Sequence, residues 1–433
     1  MTMSSQCHAF FWVAWLLMAS CARAEDWPQF RGSTGQGHSQ ETKLPVTWSE
    51  TQNIAWRTPI AGLGWSSPVV CGEQVWVTTS VEEEGTLCAV ALHRESGEVM
   101  HEIEVFRKDD LGRINAKNTH ASPTPVVEGD RVYVHYGSHG TACLTTNGQV
   151  VWRTELAYNQ HHGPGASPVV WRGLLIVSCD GVDQQYVVAL DKRSGRQVWR
   201  QERAGKNAYS SPLIIEEAGR ELLVAACGDG VWAYDPASGR EMWRFAYEGH
   251  SVNPTPVYRD GLLYVCSGYW TPALYAVRVD GHGDITATHQ VFAIRRGVPF
   301  TPSPLLMGTR LFLLSDRGVG TAIDAQSGSE VWTQRFGGNF SASPVAADGR
   351  IYVLSEDATT TVFAAADEFQ QLAVNQLPGR ALASPAISQG AIFIRTDEAV
   401  WCIREQSRAP GRSLASNFEI MDAPPHQQAT IRR

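Results

Sequence analysis

Several things are scarce in this 433-residue chain. Charged residues make up only 18% of it, below the roughly 25% usual in soluble domains, and a formal net charge of -8 leaves no basic excess. A chain without a basic stripe has no electrostatic footprint for nucleic acid or an anionic membrane surface, so neither is expected as a partner. Beyond the first stretch, no segment stays apolar for the roughly 18 residues that a bilayer crossing takes. No stretch shows a sustained helical period. Adjacent cysteines and a Cys-x-x-Cys-His haem motif are both missing. With 39 Gly and 22 Pro, about 14% of the chain, turn formers are too few for a low-complexity or collagenous protein. What remains is a turn-rich body made of strands and carrying 15 tryptophans. Its length could hold two or three domains or one large all-β architecture.

The two ends differ from the middle. Ala9 to Ala19 form a short apolar run, and Ala22-Arg23-Ala24 supplies the small-residue pattern of a cleavage site before Glu25. Residues 1–24 therefore read as a cleavable export signal, although Met1 to His8 contain no Lys or Arg. A periplasmic or extracellular location follows as an expectation. Cys21 after Leu17-Met18-Ala19-Ser20 loosely resembles a lipoprotein box, with Met18 where an aliphatic residue belongs, so a lipid anchor there is the alternative and the one expected membrane contact. Residues 25–51 form an N-terminal segment. Residues 406–433 carry Pro, Ser, Gln and Ala without periodicity and read as a disordered tail.

Between them the sequence repeats. A Ser/Thr-Pro step followed by two mostly aliphatic residues recurs at Pro68, Pro125, Pro168, Pro212, Pro256, Pro304, Pro344 and Pro385, with a β-branched or aromatic run after each. A second element closes several units: Ala189-x-Asp191-x-x-x-Gly195-x-x-x-Trp199, Ala233-x-Asp235-x-x-x-Gly239-x-x-x-Trp243 and Ala322-x-Asp324-x-x-x-Gly328-x-x-x-Trp332. Asp caps backbone N–H groups, Gly takes a positive φ, and Trp sits on an outer strand where its ring can dock on the neighbouring unit. Trp152 belongs to a shortened copy after Gly148; after Gly97, Met100 or His101 stands in place of Trp. Strand-only units of about 40 to 45 residues around an axis predict an all-β, eight-bladed β-propeller of four-stranded antiparallel blades over residues 52–405. The eighth unit lacks room for a fourth strand, so the segment around Trp56 is expected to complete it and close the ring.

The Ala-x-Asp-x-x-x-Gly-x-x-x-Trp spacing resembles the docking motif of pyrroloquinoline quinone (PQQ) repeat propellers, the quinoprotein alcohol dehydrogenase-like superfamily. Asp26-Trp27-Pro28-Gln29-Phe30-Arg31-Gly32 is similar to the start of secreted bacterial propellers of this type. The resemblance implies the fold for nearly all of the mature chain, and it implies no single function, since the superfamily holds both quinone and calcium enzymes and non-catalytic scaffolds. Its enzymes close the cofactor pocket with an adjacent cysteine pair, absent here. Neither PQQ nor calcium is therefore expected, and catalysis is not supported.

Seven cysteines follow Ala24, an odd number at equivalent strand positions. They read as free buried thiols rather than a disulfide framework. His120, His135, His139, His161 and His162 cluster in the second and third units, but Tyr136-Gly137-Ser138 reads as a turn, which breaks a helical His-x-x-x-His pair, and no metal site is expected. Residues just before each anchor should ring one mouth of the channel: Trp65, His120, His162, Tyr209, His250, Asn253, Phe300, Asn339, Phe340 and Arg380. Flat rings with a few donors suit a planar ligand or a peptide segment. The leading expectation is a monomeric, exported, non-catalytic scaffold presenting this face to a protein or peptide partner in the cell envelope. A PQQ-dependent oxidoreductase with an atypical pocket is the runner-up. Polysaccharide recognition through Trp65, Tyr209 and Phe340 is the third reading.

Overall fold

The structure, a computed structural model, describes residues 25–405; the export signal, Cys21 and the C-terminal tail lie outside the described residues. Each Ser/Thr-Pro anchor opens a short innermost strand, and the following β-branched runs form the next strands of the same sheet. Eight antiparallel sheets result. Blade 1 comprises Val69–Cys71, Gln74–Val81, Thr86–His93 and Val99–Arg107, and blades 2 to 7 repeat this order. Blade 4 gains a two-residue parallel strand, Gly283–Asp284. Among the described residues, helix is confined to two 3-10 turns, Glu82–Glu84 and Gly137–His139. Among the described residues no helix is long and apolar enough to cross a membrane.

Blade 8 contributes only Ala386–Ser388, Ala391–Arg395 and Ala399–Arg404; its fourth strand is Ile54–Pro59 from the start of the fold. Trp56 faces Cys402 across this pair and Thr58 faces Val400. The expected closure by the Trp56 segment is thus the observed one.

The repeated Ala-x-Asp-x-x-x-Gly-x-x-x-Trp spacing has a local cause. Ala189, Ala233 and Ala322 lie opposite Trp199, Trp243 and Trp332, and the register shifts by a bulge at the next residue. A small residue there leaves room for the ring, and the bulge re-aims the outer strand. In the turn between, Asp191 Oδ1 accepts the Ser194 N–H at 2.9 Å and Gly195 adopts φ +72°. The tryptophan of one blade then lies on the glycine turn of the next, a Cβ on Gly195 coming within 2.5 Å of the Trp152 ring. Trp152, Trp199 and Trp332 donate their indole N–H to Lys192, Pro236 and Ala366 carbonyls at 3.1 Å, and Trp56 to Arg94 at 2.8 Å. Trp243 is buried, but its indole N–H has no partner. His101 lies over Gly148, and Phe292 takes the tryptophan's place over Gly328.

The core runs between blades rather than at a single centre. Tyr133, Cys143 and Trp152 of blade 2, for example, pack with Val177 and Tyr186 of blade 3. All seven described cysteines are free, six of them buried. Burial pushes the thiols of Cys143 and Cys227 up to about 11 and that of Cys402 up to about 12, so they pack as small hydrophobes rather than react. One ion pair is wholly interior: Arg203 Nε donates to Asp180 Oδ1 at 3.0 Å and Nη1 to the Ala225 carbonyl at 3.0 Å. The carboxylate offsets the desolvation of the guanidinium and holds Arg203 charged.

The segment from Glu25 to Trp48 is not strand, yet it is tightly held across the face formed by the hairpins between first and second strands. Trp27 and Val70 of blade 1 exchange backbone hydrogen bonds at 2.8 and 2.9 Å. Pro28 O accepts from Val127, Gln36 Oε1 from Tyr258, and Arg31 Nη2 donates to Pro304 O at 2.6 Å. Gly37 and Ser39 bracket Ala346 of blade 7, and Ser388 of blade 8 donates to Glu25 O. Trp27 rests on Gly32, whose φ of +81° permits the tight turn. The segment clips the ring from below.

Candidate functional site

The opposite face is open. Loops that lead into each innermost strand, together with the hairpins between second and third strands, surround a well of about 780 Å³ on the propeller axis. Phe30, carried by the N-terminal segment, lines this well and also a smaller cavity of about 570 Å³ on the clipped face. Phe30 therefore stands where the two cavities meet.

The anchor hydroxyls form its inner wall. The backbone N–H of each anchor Ser or Thr donates to the side-chain oxygen of the anchor in the next blade: Ser67 to Thr124, Thr124 to Ser167, Ser167 to Ser211, Thr255 to Ser303, Ser303 to Ser343, Ser343 to Ser384, and Ser384 back to Ser67, all at 2.8–3.1 Å. The belt is interrupted once, at Ser211 and Thr255, where the Thr255 hydroxyl has no partner among the described residues. This accounts for the hydroxyl residue before seven of the eight anchor prolines. A side-chain oxygen satisfies an inner-strand N–H that has no neighbouring strand toward the axis.

Of the residues expected at the mouth, Trp65, His162, Tyr209, His250, Asn253, Phe300 and Asn339 line the well. Three others do not. Phe340 is 1% exposed and packs on Phe336 at a centroid distance of 6.3 Å, because residues alternate in direction and Asn339 takes the outward one. His120 is buried against His139 at 5.2 Å, and Arg380 is exposed outside the well, its backbone N–H bonded to Asp397. His139 ends a 3-10 turn, and among the described residues no group of His, Cys, Asp or Glu could hold a metal ion.

The rings make a nearly continuous shelf along blades 3 to 6. His161 meets His162, His162 meets Tyr209 at 6.1 Å, His250 stacks on Trp270 at 4.0 Å and 11°, and Tyr269 meets Phe300 edge-on at 5.5 Å. Burial, with Lys206 nearby, pushes His250 below the ordinary histidine value, so the stacked imidazole is neutral near pH 7. Trp270 and Tyr269 are 68% and 58% exposed. These two were not anticipated, since they sit on a hairpin between second and third strands. The signal was available as paired aromatics at a turn, in Gly268-Tyr269-Trp270-Thr271-Pro272. On the other side, the loop carrying Asn115 to Asn118 spans the mouth, and Lys117 pairs with Glu356 of blade 7 at 2.7 Å. Asp316 Oδ2 accepts the backbone N–H groups of Phe300 and Thr301.

This lining does not match a calcium-bound quinone. It holds one carboxylate, Asp316, already engaged by two amides, and one cation without an ion pair, Arg317. No redox step is assigned to it.

The family model described as Outer membrane protein assembly factor BamB matches residues 39–180, 183–283 and 287–407. The chain belongs to this family. A curated member from Alkalilimnicola ehrlichii, described by the same name, is 30% identical over 207 residues, 47% of this chain and 49% of its own length. The chain thus spans about half the length of that relative. Two solved structures share the fold: BamB from Moraxella catarrhalis, with TM-score 0.58 at 14% identity over 81% of this chain and 99% of that one, and quinohemoprotein alcohol dehydrogenase from Comamonas testosteroni, with TM-score 0.64 at 11% identity over 89% and 81%. At such identities they speak to architecture alone. The PQQ-like propeller suggested by the repeat is thereby established.

Proposed function

We propose that this protein is an exported, non-catalytic scaffold of the outer-membrane protein assembly type, which presents its open mouth to a partner protein of the envelope. The observation that carries this reading is the asymmetry of the two faces. The N-terminal segment covers the lower face with backbone hydrogen bonds, whereas the mouth displays Trp270 and Tyr269 in the open. Exposed aromatics of this kind are the anchors that protein interfaces favour. Family membership supports the partner class, and the buried, poorly acidic thiols support a binding role over a nucleophilic one. Export by residues 1–24, with a lipid anchor at Cys21 as the alternative to cleavage after Ala24, and a monomeric state belong to the same proposal.

In-cell photo-crosslinking with the probe at position 270, compared with one at Val198 on the outer edge, tests it. A discrete envelope protein captured from 270 and not from 198 is expected. Capture from 198 alone would move the interface to the outer edge and overturn the reading. Thermal stabilisation of the purified chain by PQQ with calcium would favour the oxidoreductase reading, because a ligand specific to the native state must stabilise it.

A further inference from the structure

We propose that the well beneath the mouth binds the end of a neutral oligosaccharide, its flat pyranose face against Trp270 and its hydroxyls on the amide and hydroxyl groups of the wall. This goes beyond the scaffold reading and does not depend on it.

Shape is the first argument. A cavity of about 780 Å³, with Phe30 of the clipping segment in its lining, accepts a chain end of a few sugar units. Charge is the second. Lys117 is neutralised by Glu356 and Asp316 is held by two backbone amides, leaving Arg317 as the one lining cation without an ion pair among the described residues. A polyanion or a highly charged peptide would find little complement there.

The uncommitted polar groups point the same way. Each of the seven belt hydroxyls accepts one amide, and no acceptor for its own O–H proton is found among the described residues. The exposed Asn339 side-chain amide makes no hydrogen bond among the described residues, and Asn253 commits only its Nδ2 there. A ligand answering many uncharged donors and a few amides should itself carry groups that both donate and accept, as sugar hydroxyls do. Finally, Trp270 is a fixed plate: His250 holds one face at 4.0 Å and the ring remains 68% exposed. A rigid amphipathic ring gives contact area at little entropic penalty, and it suits a pyranose whose equatorial substituents leave an apolar C–H face.

The test titrates the purified mature chain with cellotetraose, chitotetraose, maltotetraose and an uncharged tetrapeptide, read by tryptophan fluorescence and calorimetry. Cellotetraose or chitotetraose is expected to bind, the better of the two telling whether an acetamido group is wanted. W270A, at an exposed position that leaves folding intact, should weaken that binding by about tenfold or more, and N339A by a smaller factor. Undiminished binding in both variants would place the site elsewhere and overturn the proposal. So would preference for the curved maltotetraose, binding of the peptide alone, or silence from all four probes. A partner crosslinked at 270 without any sugar binding would remove this inference while leaving the scaffold standing.

Discussion

At the scale of single residues, the fold carries groups whose protonation it suppresses. His135 is fully buried, bonded through Nδ1 to Thr141 Oγ1 at 2.8 Å and through Nε2 to the Tyr158 hydroxyl at 3.0 Å, and burial pushes its pKa down to about 3. His38, beneath the ring, is pushed down to about 4 by burial and by Arg31 and Arg259. In the unfolded chain both would titrate near 6.5. Above that pH neither state binds the proton and the native packing keeps its full stability. As pH falls below about 6.5 the unfolded state takes up protons that the folded state refuses, so stability drops with pH until the folded values are reached. Melting temperature is therefore expected to decline between pH 6.5 and 4, with a shallower slope in H135Q, whose side chain can bond both hydroxyls without charging. Identical slopes in the two proteins would show that His135 is not the group responsible.

At the scale of the blade, much was readable because the constraints are local and repeated. The Asp cap, the positive-φ Gly and the ring-bearing outer strand fall within one turn, so their spacing survives as a motif, and Trp56 could be matched to it although its partner Cys402 lies at the other end of the fold. The bulge beside Ala189 and the hydroxyl belt were not readable: one is a register shift with no residue signature of its own, and the other joins anchors in different blades. The docking geometry makes a comparison possible. Gly195 and Gly219 share φ near +72°, but a Cβ on Gly195 meets the Trp152 ring at 2.5 Å while one on Gly219 meets open space. G219A should cost only the left-handed backbone strain, about 1 kcal/mol, and G195A about 1–3 kcal/mol more from overpacking. Urea denaturation of the two variants would decide it, equal losses meaning that the ring does not dock on the turn as described.

At the scale of the whole molecule, the open question left by the sequence was which face works, and the answer came from a segment without periodicity. Residues 25–48 carry no strand pattern, so nothing in their spacing foretold that they hydrogen-bond to five of the eight inner strands and leave one mouth open. The mouth residues were half legible for a related reason. Position before an anchor places a residue at the right end of the blade but does not say whether it points to the axis, as Asn339 does, or into the core, as Phe340 does. Closure of the ring is where this long-range dependence becomes measurable. The strand Ile54–Pro59 supplies the outer edge of blade 8 and the indole that docks on blade 1, while Glu25 to Trp48 ties the lower face. A ring joined this way behaves as one cooperative unit, because opening the seam exposes the cluster of Trp56, Phe393 and Trp401 together. Removing residues 25–59 should therefore abolish the single sharp thermal transition of the whole propeller rather than lower it by a few degrees. R57A at the rim of the seam, which loses the half-exposed pair with Glu398 and the guanidinium's place over the Trp401 ring at 5.2 Å, should change stability by less than about 2 kcal/mol. Calorimetry on the two proteins distinguishes a seam that holds the ring from an ornamental strand: a truncated chain that still melts in one step near the parent temperature would mean that seven blades and three strands close without it.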